Sequence, residues 1–77
     1  MNKDIYILNF CNNVKRLRKQ SGLSKQEMSK ILGIGINSLS MIERGVLPKR
    51  LSVDIMFEIY KNFGVNPKDL FTLRSNN

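Results

Sequence analysis

A chain of 77 residues has room for one domain, 1–77, with a core too small to enclose a large active site. It has no histidine and one cysteine, which excludes an internal disulfide and disfavours a metal centre or a histidine-based catalytic site. The net charge of +7 is concentrated, because residues 15–50 hold nine bases and two acids while the other residues hold four of each and cancel. Charge placed in this way is the footprint of a polyanion binder, or else of a basic surface that only aids solubility.

The first helix is expected over about residues 5–20, with Asp4 as its N-cap and Ser21-Gly22 after its end. Ile7, Phe10, Cys11, Val14 and Leu17 recur at helical spacing and form its core stripe, so Cys11 is read as a small apolar core residue. Lys15, Arg16, Arg18 and Lys19 crowd the last turns. Positive charge there suits the negative end of the helix dipole and is equally available to phosphates. The apolar run from Ile5 to Leu8 is too short for a signal peptide or a membrane span. A soluble protein in a reducing, cytoplasmic setting is expected, with no membrane partner.

Residues 23–45 read LSKQEMSKILGIGINSLSMIERG and organise the rest. Ser24 followed by Glu27 has the form of a capping box, which opens a helix at Lys25. Met28, Ile31 and Leu32 make its apolar stripe, and Gly33 ends it through the left-handed conformation that glycine tolerates. A second helix is expected over residues 36–44. At 100° per residue, Ser38, Leu39 and Ile42 cluster on one side, and Ile36, Asn37, Ser40, Met41 and Arg44 on the other. Two helices joined by so short a turn cross steeply.

This stretch resembles the helix-turn-helix of the Xre/Cro family of phage and bacterial repressors, and the similarity extends over roughly residues 10–71. The resemblance implies an all-α fold, a compact bundle of five short helices around a central helix-turn-helix, of the lambda-repressor-like type. It also implies a structural ion pair between an arginine near the end of the first helix and a glutamate near the end of the recognition helix. Arg18 and Glu43 occupy those places, so Arg18 is assigned to the scaffold and not to DNA. Two positions depart from the common pattern: Lys25 stands where glutamine is frequent, and Gly35 where a capping serine or threonine is frequent.

The connector VLPKRL follows, with Pro48 opposing further helix, and the interval from Gly45 to Gly64 is about three residues longer than the family pattern. Lys49 and Arg50 sit on this loop, as phosphate contacts or as a solvated turn. A fourth helix is expected over residues 52–63, capped by Ser52, with Met56, Ile59, Tyr60 and Phe63 inward and Val53, Ile55 and Phe57 widening its apolar surface. Asn66-Pro67 has the form of an N-cap with proline at the first helical position, opening a last short helix through Phe71, and the tail from Arg74 is expected to be loose. Surplus apolar surface at Phe57, Phe71 and Leu73 points to a homodimer, with a somewhat greasy monomer as the alternative. The first helix, through Tyr6 and Leu8, is a second candidate dimer surface.

The function expected is a sequence-specific, double-stranded DNA-binding transcriptional regulator, most simply a repressor, with the helix at 36–44 in the major groove. Base contacts fall to Ile36, Asn37, Ser40 and Met41, Asn37 being suited to bidentate pairing with adenine. Phosphate contacts fall to Lys25, Arg44, Lys49 and Arg50, while Ser38 is better suited to packing. With no histidine and no glycine-rich phosphate loop, neither an enzyme nor a cofactor or small-molecule ligand is expected. The alternative is a protein-interaction module on the same fold, such as an antitoxin or the partner of another regulator. RNA binding ranks behind both, because no aromatic side chain lies in the basic segment.

Overall fold

The computed structural model describes residues 3–47 and 53–72. Five helices follow in order: α1 (Lys3–Gln20), α2 (Lys25–Leu32), α3 (Ile36–Glu43), α4 (Val53–Phe63) and α5 (Pro67–Leu70), with no strand among the described residues. The fold is all-α. Helix α3 packs on α1 and α2, α4 packs on α2, and α5 bridges α1 and α4.

Each helix contributes to a single core. Phe10, Cys11 and Val14 of α1 meet Met28 and Leu32 of α2, Leu39 and Ile42 of α3, Ile55 and Ile59 of α4, and Leu70 of α5. The stripe on α1 expected from spacing is therefore the inner one, with Ile7 and Leu17 packed at its edge. Burial pushes the Cys11 thiol pKa up, because a thiolate loses its hydration there.

Helix α5 has four residues and is too short to hold itself. Leu70 plugs the core, and the Phe71 ring stacks on Phe10 with centroids 5.2 Å apart. The chain's last described carbonyls are taken by α1. The Asn13 side-chain amide donates to the Leu70 carbonyl at 2.7 Å and shares its hydrogens with the carbonyls of Asp69 and Thr72, while Asn9 donates to the Phe71 carbonyl at 3.2 Å. Arg16 in turn donates to the Asn13 carbonyl oxygen, which fixes the amide's orientation. Asn9 and Asn13 are four apart and lie on one face of α1, where they satisfy carbonyls that a terminal turn leaves without helical partners.

Several expectations are corrected. Helix α1 starts at Lys3, so Asp4 falls inside the first turn and is not the N-cap. Tyr60 does not face inward: it is exposed, and Ile55 takes the inner position with Ile59. The inner face of α4 is set by where α2 and α5 lie, which rotates the buried stripe away from Tyr60. Phe71 is not spare apolar surface, since it stacks on Phe10. Asn66 is the N-cap residue of α5 with Pro67 after it, but its side chain makes no capping bond, and α5 ends at Leu70 with Phe71 as C-cap. Ser52, Lys49, Arg50, Leu73 and the tail from Arg74 lie outside the described residues.

Candidate nucleic-acid interface

The interface is built on local chemistry between α2 and α3. The Ser24 hydroxyl accepts from the Glu27 amide at 3.1 Å, and the Glu27 carboxylate accepts from the Ser24 amide at 2.8 Å, so both halves of the capping box close. At the other end Gly33 adopts φ +72°, and the amides of Gly33 and Ile34 donate back to the carbonyls of Lys30 and Ser29. A side chain at this φ would be strained, so glycine is what permits the chain to leave α2 and enter α3 three residues later. Gly35 is the N-cap of α3 and supplies no side-chain bond, and the first turn of α3 carries no acid.

Tertiary contacts fix how α3 is presented. Leu39 and Ile42 are buried, and Ser38 is half-buried beside them. On the far side Ile36, Asn37 and Arg44 are exposed, and Ser40 and Met41 are half-buried. At the C-terminal end of α3, Arg18 grips Glu43 with both arms of its guanidinium, Nε to Oε2 at 2.6 Å and Nη2 to Oε1 at 3.0 Å. Its remaining nitrogen donates to the Leu23 carbonyl at 3.0 Å, so one side chain ties α1, the entry to α2 and the end of α3 together. The Glu43 side chain is only 4% exposed. The hydrogen bond to Glu43 raises the Arg18 pKa further, outweighing the opposing effect of burial. The arginine therefore stays charged, and its charge is committed to the fold.

The predicted contact residues fall into separate places. Lys25, the first residue of α2, is exposed and directs its ammonium to the Ser40 hydroxyl of α3 at 3.5 Å. That contact joins two residues 15 apart that sequence spacing does not connect. Arg44 is the C-cap of α3, one turn beyond Ser40, and is exposed. Of the basic cluster on α1, Arg18 and Arg16 are engaged within the fold, leaving Lys15 half-buried and Lys19 exposed. Asn13 and Asn9, which hold the C-terminal turn to α1, were not marked by spacing; three asparagines at 9, 12 and 13 in mid-helix, where the residue type is a weak helix former, are the signal that was available.

Two short helices in contact, joined by a tight turn and with an outward row on the second, are thus present, and comparison places the unit in a family. A family model described as a helix-turn-helix domain matches residues 12–75. The chain belongs to the helix-turn-helix domain family. No curated protein and no solved structure matches it.

The match takes in most of this helix-turn-helix domain, from the second half of α1 through α5. It includes the Arg18–Glu43 clamp, the capping box and the exposed row of α3. Charge divides the helix-turn-helix domain in two. Residues 15–50 carry the whole positive excess, whereas residues 53–72 hold three acids and two bases. No helix among the described residues is long and apolar enough to cross a membrane.

Proposed function

We propose that the chain, as a single domain, is a double-stranded DNA-binding transcriptional regulator of the Xre/Cro type, acting as a repressor in the cytoplasm. The observation that carries this is the outward row of α3, Ile36, Asn37, Ser40 and Met41, flanked by Lys25 and Arg44 on a domain whose excess positive charge lies within residues 15–50. In this reading α3 enters the major groove, where base edges present an unambiguous pattern of donors, acceptors and methyl groups. Asn37 pairs with adenine, Ser40 bonds to a base edge, and Ile36 and Met41 pack on thymine methyls or sugar.

Anchoring falls to cations at both ends of the row. The Lys25 ammonium has three donors and uses one on Ser40, so two are available to a phosphate. Arg44, Lys49 and Arg50 are the further phosphate contacts in this proposal. Arg18 is excluded from the DNA by its bond to Glu43. The protein acts as a homodimer on a near-palindromic operator, its two recognition helices about 34 Å apart. It works by binding, without catalysis, cofactor or small-molecule ligand.

Selection of random duplex DNA on the purified protein at two salt concentrations tests this. The expected result is an enriched palindrome with half-sites about one helical turn apart, and binding that weakens steeply with salt. No binding at either salt would reject the proposal in favour of a protein-interaction module.

A further inference from the structure

The face of α4 turned away from the core is apolar. Val53, Phe57 and Tyr60 are 76%, 59% and 51% exposed, and their i, i+4, i+7 spacing aligns them in one stripe. With Met56, Asn66 and Pro67 they line an open groove of about 460 Å³. Lys61 borders this stripe: its ammonium lies 5.4 Å from the Phe57 ring centre and 3.6 Å from the Glu58 carboxylate.

Charge and register together identify what covers the stripe. Residues 53–72 hold Asp54, Glu58 and Asp69 against Lys61 and Lys68, so like charge does not oppose the approach of two copies here as it does over the basic segment. The border of the stripe is also complementary to itself. Asp54 and Lys61 are seven residues apart, within about 20° of one another around the helix, and so flank the same edge. They stand equally far on either side of the point between Phe57 and Glu58. When two α4 helices lie antiparallel about a two-fold axis through that point, Asp54 faces the partner's Lys61, and the same contact recurs by symmetry. The two Phe57 rings meet near the centre. A parallel pairing about a two-fold axis carries the edge that holds Asp54 and Lys61 to the opposite side of the partner's stripe, so neither meets its complement.

We propose that two copies of this chain associate through α4, antiparallel about a two-fold axis, with Val53, Phe57 and Tyr60 as the buried stripe and Asp54 paired to the partner's Lys61. This rests on the dimeric reading above and adds its surface, symmetry and register. One helix face is small beside the roughly 800 Å² per partner of a standard interface, so dissociation in the micromolar range is expected.

Sedimentation of the full chain from about 1 to 300 μM, without DNA, tests each part separately. The wild type is expected to pass from monomer to dimer, and Phe57→Glu to remain monomeric with an unchanged circular dichroism spectrum. Asp54→Lys and Lys61→Asp should each weaken association at least tenfold, and the double reversal should restore it to within about threefold. A wild type that is monomeric throughout overturns the dimeric reading itself. A dimer indifferent to Phe57→Glu overturns the surface alone, and single reversals without rescue overturn the antiparallel register. Should Phe57→Glu fail to fold, disulfide trapping decides: Phe57→Cys should cross-link rapidly between chains and Ile5→Cys on α1 slowly, with Cys11 silent because it is buried. The reverse order overturns the proposal in favour of α1.

Discussion

Arg18 and Glu43, 25 residues apart in the chain, meet in a two-pronged ion pair whose carboxylate is almost wholly withdrawn from water. The Leu23 carbonyl takes the third arm of the guanidinium, so the pair is satisfied by hydrogen bonds as well as charge. A buried pair of this kind contributes little net stability against an apolar replacement, yet removing one member strands the other. Arg18→Ala or Glu43→Ala should therefore destabilise the fold by about 3–5 kcal/mol in urea titrations, and Arg18→Met with Glu43→Leu by clearly less. Because the folded-state pKa of Arg18 is raised, its contribution is fully present below the unfolded pKa and is lost only as pH rises through the folded one. Titration of Arg18 should accordingly leave stability flat from neutral into moderately alkaline solution. A double replacement as damaging as either single one would refute the clamp as described.

Asn13 presents a second long-range dependence. Its amide serves the carbonyls of Asp69, Leu70 and Thr72 at the end of α5 and just beyond it. Asn13→Leu keeps the volume but leaves those acceptors and the Arg16 donor without this partner, a cost of about 1–3 kcal/mol. Stability measured by denaturation should fall by that amount. Hydrogen exchange should rise first in residues 67–72, and a uniform rise across the domain would argue against a local latch.

For DNA, anchoring and reading separate by their salt and sequence dependence. Lys25→Ala should lower the slope of log K against log salt by about 1, as loss of one phosphate contact does. Asn37→Ala should cost about 1–3 kcal/mol on the selected operator and little on random duplex, with the slope unchanged. Filter-binding or anisotropy titrations at four salt concentrations check both. Equal effects of the two substitutions on specific and random DNA would overturn this division of roles.

Cys11 supplies a pH-dependent test of the core. Burial raises its thiol pKa above the ordinary value of 9.0, so the folded state holds the neutral form. The stability this contributes is fully present below the unfolded pKa and is lost as pH rises through the folded one. Alkylation by iodoacetamide at pH 8 should be slow and should track the unfolded fraction when urea is added. Rapid alkylation of the native protein would place the thiol at the surface instead.

What was legible in the sequence is what short-range chemistry decides. Ser24 and Glu27 are three residues apart, Gly33 acts on its own backbone, and the separation of Leu39 and Ile42 from Ile36, Asn37 and Arg44 follows from helical angle alone. These interactions close within one or two turns, so the residues that make them determine them. The helix-turn-helix and the all-α class were readable for that reason.

Elsewhere a neighbour had to be known. Whether Ile55 or Tyr60 of α4 turns inward depends on where α2 and α5 stand, because both residues are apolar enough for either side. Phe71 is apolar at the end of the short α5 and has a place in the fold only because Phe10 stacks on it, and Asn9 and Asn13 gain their purpose only from carbonyls about 60 residues away. The approach of Lys25 to Ser40 is of the same kind, since it depends on the angle at which α2 meets α3. The sequence by itself determined which helices form and which side of α3 is polar. Only the tertiary structure decided which side chains from distant turns meet, because contact across the core is set by how helices pack and not by the spacing within any one of them.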